Sequence, residues 1–198
     1  MNIVRGFVKG SANILCHLFF RYDVRGMENL PKEGSAIICA NHIHFLDSIS
    51  LVIHIKRMIY VMVKAELMKS KFGHWFFDKL GGFPVERGKG DTGAIDTAVN
   101  YVNNGELLLI FPEGTRNGMA KGVKMKKGAA LIALQTKTPI IPIGISGLFK
   151  PFTKVKINIG KPMDLTEYFN MEEVGAREWI KVTNKMQEEI VRLRDEEI

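Results

Sequence analysis

Two histidines and an aspartate crowd into ANHIHFLDSISL (residues 40–51), with Asp47 five residues beyond His42 and three beyond His44. The stretch follows the short apolar run SAIICA (35–40) and leads into residues of helical periodicity, so it reads as a strand-to-helix loop. Irregular backbone there lets His42 fold back onto a carboxylate in the first helical turn, where the helix dipole favours negative charge. Hydrogen-bonded to one ring nitrogen, the carboxylate would fix the tautomer and leave the other nitrogen to accept a proton, an arrangement worth roughly 10² to 10⁴ in rate. The same residues also fit a plainer role, as polar side chains at a turn with Asp47 capping the helix. A metal site would need further ligands, and His17, His54 and His74 supply no matching cluster.

Two other loops carry unusual residues. In FPEGTRNG (111–118), Gly114 and the small Thr115 allow close backbone approach, and Arg116 offers a planar fork suited to phosphate. In GGFPVERGKG (81–90), Arg87 offers a second fork beside glycines. Together they suggest a bound phosphate, although a single arginine in a turn is commonly solvated surface. Neither loop carries a Walker or dinucleotide fingerprint, so nucleotide binding is not indicated. The basic cluster Lys121, Lys124, Lys126 and Lys127 lies where a helix begins, an end that disfavours cations, and it could attract an anionic headgroup, a coenzyme phosphate or an acidic carrier, or simply be solvated. No activated nucleophile is evident, since GISG around Ser146 is not a strand-turn-helix elbow. A base with phosphate anchors and no nucleophile of its own points to the substrate's hydroxyl as the attacking group.

The elements that must hold these loops alternate. Strands are expected at YDVR, SAIICA, IYVMV, GFPVE, ELLLIF, IIPIGI and KVKINIG, and helices over LDSISLVIHI, LMKSKFGHWFFDKL, TGAIDTAVNYVNNG and KGAALIALQTK. A final helix is marked by Trp179, Val182, Met186, Ile190 and Leu193. This pattern predicts a single α/β domain with a largely parallel sheet flanked by helices, and places the three loops at strand ends, where such sheets keep their ligand sites.

Residues 1–21 form a separate unit in this reading, an amphipathic helix preceding the domain at 22–198. Ile3, Val4, Phe7, Val8, Ile14, Leu15, Leu18 and Phe19 follow helical spacing with Arg5, Lys9 and Asn13 opposite. Such a helix either packs into the core or lies in a membrane interface with its cations toward lipid phosphates. Basic residues throughout it and the lack of a small-residue cleavage site argue against a signal peptide. No apolar run approaches the roughly 20 residues of a spanning helix, so no transmembrane span is expected. The chain has 198 residues, a net charge of +7 and only two cysteines, Cys16 and Cys39, which fits one domain in a reducing setting with anionic partners. Nucleic acid is a poor fit, because the basic cluster is not interleaved with aromatics.

Taken in order, the motifs resemble those of the glycerolipid acyltransferase family, whose best-known members are lysophosphatidate acyltransferases. The His-x4-Asp motif appears as NHIHFLD, the arginine-bearing second motif as GFPVERG with Phe83 and Arg87, the third as FPEGTR and the fourth as IIPIGI with Pro142, over about residues 22–147. The resemblance implies the fold of the glycerol 3-phosphate acyltransferases. It makes His42 the base with Asp47 as its partner, and Arg87, Glu113, Gly114, Thr115 and Arg116 acceptor-binding, joined by Lys64. Glu113 would serve chiefly to order its loop. His44 stands where many members carry serine or glutamine. The activity implied is acyl transfer from an acyl-CoA or acyl carrier protein thioester to lysophosphatidate, with no cofactor or metal, by a peripheral protein on the cytoplasmic face of an anionic membrane; the alternatives are the same transfer to glycerol 3-phosphate or another lysophospholipid, and a non-enzymatic basic protein that binds lipid or nucleic acid.

Overall fold

The computed structural model of the protein describes residues 3–85 and 92–196. Seven strands form one sheet: β1 (Arg21–Arg25), β2 (Ala36–Ala40), β3 (Ile59–Lys64), β4 (Gly82–Val85), β5 (Leu107–Ile110), β6 (Ile140–Gly147) and β7 (Lys154–Ile159). They lie in the order β1-β7-β6-β2-β5-β3-β4, and every neighbouring pair is parallel except β6 and β7. The largely parallel α/β sheet expected from the alternation is therefore the one observed.

Both faces of the sheet are covered, which is why its central strands read as unbroken apolar runs rather than alternating ones. On one face Ile37, Cys39, Leu108 and Ile110 meet the helices α4 (Thr92–Asn103), α5 (Gly128–Thr136) and α7 (Ala176–Asp195) through Ala98, Val102, Ile132, Val182, Met186 and Ile190. Their chain neighbours Ala36, Ile38, Leu107 and Leu109 point to the other face, against Val8 of α1 (Ile3–Phe19) and Leu51 and Val52 of α2 (Asp47–His54). The period of two along each strand thus assigns alternate residues to two separate cores.

The helix expected over 67–80 is broken. A 3-10 turn at Ala65–Met68 precedes α3 (Lys71–Lys79), because the Ser70 hydroxyl accepts from Gly73 N and starts a new helix there. A short helix that sequence periodicity did not mark, α6 (Thr166–Phe169), lies between β7 and α7.

The apolar face of the first helix does not pack into the core, one of the two placements expected of it. Val8 and Cys16 are its buried residues, while Ile3, Phe7, Ile14, Leu15 and Leu18 are exposed, Ile3 by 89% and Phe7 by 74%. The basic side turns inward. Lys9 Nζ donates to the carbonyl of Ile55, at the C-terminal end of α2, over 2.6 Å. That carbonyl carries the negative end of the α2 dipole, which is the physical reason a lysine faces the protein here and not lipid phosphates. Burial lowers the pKa of both Lys9 and Arg5. Below them, Tyr22 and Ser50 share a hydrogen bond of 3.0 Å, with the rings of His17 and His54 packed around Tyr22.

Candidate active site

The parallel strands β2, β5 and β6 deliver their carboxyl ends to one edge of the sheet, with β2 in the middle. Where β2 stops, the fully buried side chain of Asn41 takes over the pairing: its amide donates to Ile145 O at 2.8 Å and its oxygen accepts from Ile145 N at 2.6 Å. This side chain continues the ladder for one residue and fixes where the chain leaves the sheet. His42 comes next.

His42 Nδ1 lies 2.7 Å from Asp47 Oδ2. That same oxygen accepts from the backbone N–H groups of Ile43 at 2.7 Å and His44 at 2.8 Å, so the loop wraps a carboxylate that is wholly buried. Because an ionised carboxylate only accepts, Nδ1 carries the ring proton and Nε2 presents a lone pair. The His42 ring, 12% exposed, stacks on Phe111 at 4.2 Å and 23°. Asp47 is thus the imidazole's partner, whereas its reading as a helix cap is not realised: it is the first residue of α2, its oxygen accepts from N–H groups that precede the helix, and no side chain caps the helix start.

Residues 111–119 hold the same histidine through its backbone. Glu113, 2% exposed, accepts from His42 N through Oε1 and from Met119 N through Oε2, both at 2.7 Å. Asn117 N donates to His42 O at 2.6 Å from a left-handed conformation, φ 56°, that asparagine tolerates better than most residues. Two glycines make room. A Cβ on Gly118 would lie 2.8 Å from Glu113 Oε2, and one on Gly114, at φ 66°, would strike the Lys126 stem at 2.9 Å. Both Glu113 oxygens are thus occupied away from solvent. The bonds this carboxylate makes in the structure order the loop around His42, the chief role expected of it.

Thr115 and Arg116 follow at the exposed tip of this loop. Arg116 lies close enough to the His44 ring to lower its pKa; burial is the larger cause, and Asp47 opposes the shift. Lys64 ends β3, two strands from β2 or about 10 Å across the sheet, and is paired with Glu66 at 3.3 Å. Arg87 lies outside the described residues. Lys127 rests over Trp179 at 5.3 Å, and Lys121 Nζ donates to Arg116 O at 3.5 Å. Among the described residues no group of three or more His, Cys, Asp or Glu side chains gathers to hold a metal.

Ser48, Ile49 and Val52 of α2 face Val61, Val63, Phe77, Leu80 and Gly82 across a small, open apolar depression. Asn41, Asn117 and Phe149, which stacks on His44 at 4.7 Å, are site residues that sequence reasoning missed. Signals existed for the first two: an amide directly after the apolar run IICA, and the turn-forming pair Asn117-Gly118.

Residues 21–146 match the model of the family described as Acyltransferase. The chain is 31% identical over 172 residues to the 1-acyl-sn-glycerol-3-phosphate acyltransferase of Bacillus subtilis, a match covering 83% of this chain and 85% of that protein. Against the protein of the same description from Streptococcus pneumoniae it is 29% identical, covering 85% of this chain and 64% of that one. Among solved structures, the 1-acyl-sn-glycerophosphate (LPA) acyltransferase PlsC from Thermotoga maritima is similar with a TM-score of 0.72 and 25% identity, over 98% of this chain and 83% of that one.

Proposed function

The chain belongs to the acyltransferase family, and on that premise we propose that it moves an acyl group from a thioester, on coenzyme A or acyl carrier protein, to the free hydroxyl of 1-acyl-sn-glycerol 3-phosphate. The observation that carries the reading is the dyad: Nδ1 of His42 sits 2.7 Å from a fully buried Asp47 carboxylate, with Nε2 left as the base. In the proposed reaction Nε2 takes the proton of the acceptor hydroxyl as its oxygen attacks the thioester carbonyl. The new C–O bond forms, the C–S bond breaks, and the sulfur leaves with the proton returned from the imidazolium that Asp47 has stabilised. Arg116, joined by Arg87 and Lys64 as the resemblance implies, would hold the acceptor phosphate.

The acceptor is an amphipathic lipid, and the exposed apolar face of α1 supports peripheral attachment. No described helix is long and apolar enough to cross a membrane. Exposed Leu67, Phe72 and Trp75, at and near α3, extend the apolar surface. Such a face, laid in the interface, is how an amphipathic helix binds without spanning. The decisive test combines purified protein, lysophosphatidate in mixed micelles and either thioester, with free thiol and phosphatidate as readouts. The wild type should release both, and His42→Ala should release neither above background. Near-normal release by His42→Ala overturns the mechanism, and thiol release without phosphatidate overturns the acceptor.

A further inference from the structure

The second histidine of the loop has no part in the proton transfer, yet its ring is held as firmly as the first. Phe149, in the β6–β7 connection, stacks on it at 4.7 Å and 14°, and Phe45 packs at 4.5 Å and 42°. Phe149 is itself braced by Phe20 at 5.6 Å, just beyond the end of α1. The backbone N–H of Leu46 donates to His44 Nδ1 over 3.3 Å. That bond makes Nδ1 an acceptor and leaves the ring's proton on Nε2. Burial, with Arg116 and His42 reinforcing it and Asp47 opposing, lowers the ring's pKa and so favours its neutral form. Asp47 makes no hydrogen bond to the ring itself: its Oδ2 accepts from His42 and from the backbone N–H groups of Ile43 and His44, and its Oδ1 has no partner. Among the described residues no protein group accepts a hydrogen bond from Nε2.

We propose that His44 is an acceptor-binding residue whose Nε2–H donates a hydrogen bond to the phosphate of the acylated lipid alcohol, beside the guanidinium of Arg116. The inference rests on the acyltransferase reading and deepens it by adding a headgroup contact. A neutral imidazole of fixed tautomer is suited to this place: it supplies a directed donor to a phosphate oxygen without adding a second positive charge next to the base His42. Its neutrality also matters to catalysis. A charged ring two residues from His42 would oppose formation of the imidazolium on which the transfer depends.

The role separates from a packing role by three substitutions. His44→Leu keeps apolar bulk against Phe149 and donates nothing, His44→Ala removes both, and His44→Gln keeps an N–H donor. Measured on the purified full chain, His44→Leu and His44→Ala should raise the KM for lysophosphatidate by about ten- to a hundredfold, the span expected for one hydrogen bond to a charged group. The kcat and the thioester KM should change little. His44→Gln should recover most of the acceptor affinity. A fall in kcat at unchanged acceptor KM, no change in any parameter, or His44→Gln as impaired as His44→Leu would each overturn the proposal. Calorimetric titration of glycerol 3-phosphate into His42→Ala protein, with and without His44→Leu, makes the same comparison without turnover. Equal affinities, or no binding in the parent, also overturn the proposal, whereas an inactive wild type that still loses phosphate affinity with His44→Leu would instead sink the acyltransferase reaction.

Discussion

Replacing Glu113 by glutamine is, on paper, a conservative change of one atom, and the structure makes it a severe one. The carboxylate is 2% exposed and accepts two backbone N–H groups at 2.7 Å, from His42 and from Met119. A glutamine has one carbonyl oxygen, so it can serve only one of them and must turn its amide N–H₂ toward the other. One charge-assisted hydrogen bond is lost, a second becomes neutral, and a buried N–H is left facing a donor. With hydrogen bonds to charged groups worth about 1.5–3 kcal/mol and an unsatisfied buried donor costing a similar amount, Glu113→Gln should destabilise the fold by about 2–4 kcal/mol. For a domain of this size that is a fall in Tm of very roughly 4–16 °C. The damage should also reach turnover, since the N–H of His42 is one of the two, and displacing a catalytic group by about 1 Å can cost on the order of 10² in rate. Urea denaturation followed by circular dichroism gives the stability, and thiol release at saturating lysophosphatidate gives kcat. The reasoning is refuted if Glu113→Gln unfolds at the wild-type midpoint with wild-type kcat and shows only a raised acceptor KM, for then the carboxylate binds substrate and does not position the base.

Asp47→Asn should keep the fold, because the amide oxygen can replace Oδ2 beneath its three donors, while the amide nitrogen enters the place of Oδ1, which has no hydrogen-bond partner, at a cost of about 1–3 kcal/mol. Loss of the charge behind the imidazolium should lower kcat by about 10³ to 10⁴ with modest effect on acceptor KM, a prediction that wild-type turnover would sink. Changing Phe7, Ile14 and Leu18 together to glutamine should abolish flotation with anionic liposomes and leave the melting temperature within a few degrees, as these side chains contact solvent and not the core; unchanged flotation removes the interfacial role. For His54, burial is the first cause of a lowered pKa, with His17 and Lys9 adding to it and the bond to Ser50 O opposing. The unfolded side chain therefore takes its proton near 6.5 while the folded one resists, so stability should fall as pH drops through and below 6.5, and His54→Gln should flatten that slope in urea melts at pH 5 to 7.

How much of this was legible depended on separation along the chain. The His42–Asp47 contact spans five residues, and a strand end followed by a helix start leaves few ways to arrange them, so the spacing alone pointed to the pair. The strands were legible for a related reason: AIICA and LLLI are apolar throughout because both of their faces are covered, and no amphipathic helix has that pattern at that length. Glu113 acts on a residue 71 positions earlier, and Phe149 on one 105 positions earlier, through pairings of β5 and β6 with β2 that local pattern does not encode. The break before α3 was written in Ser70, but a serine inside a periodic apolar stretch is equally compatible with a continuous helix until its hydroxyl is seen on Gly73 N. Arg87 falls outside the described residues, so its place in the site rests on sequence alone.

The first helix shows a different limit. Helical periodicity separates an apolar stripe from a basic one without saying which faces the protein, and for a soluble domain the default puts the apolar side in. Here the default is reversed by a feature of another element, the carbonyl of Ile55 at the end of α2, which gives Lys9 a partner that water would otherwise supply. The reversal bears on catalysis because the helix is not free of the site. Phe19 O accepts from Phe152 N at 2.6 Å, Phe20 packs on Phe149, and Phe149 packs on His44. An apolar face turned outward and a loop bearing the base are thus joined by one backbone hydrogen bond and two ring contacts. A lipid alcohol presented at that face would meet His42 at a height fixed by the protein, and variants that loosen the Phe20–Phe149–His44 stack should raise the acceptor KM on vesicles more than in detergent micelles, where the substrate's depth is not set by a bilayer. Equal increases in both would mean that the stack serves the headgroup site alone.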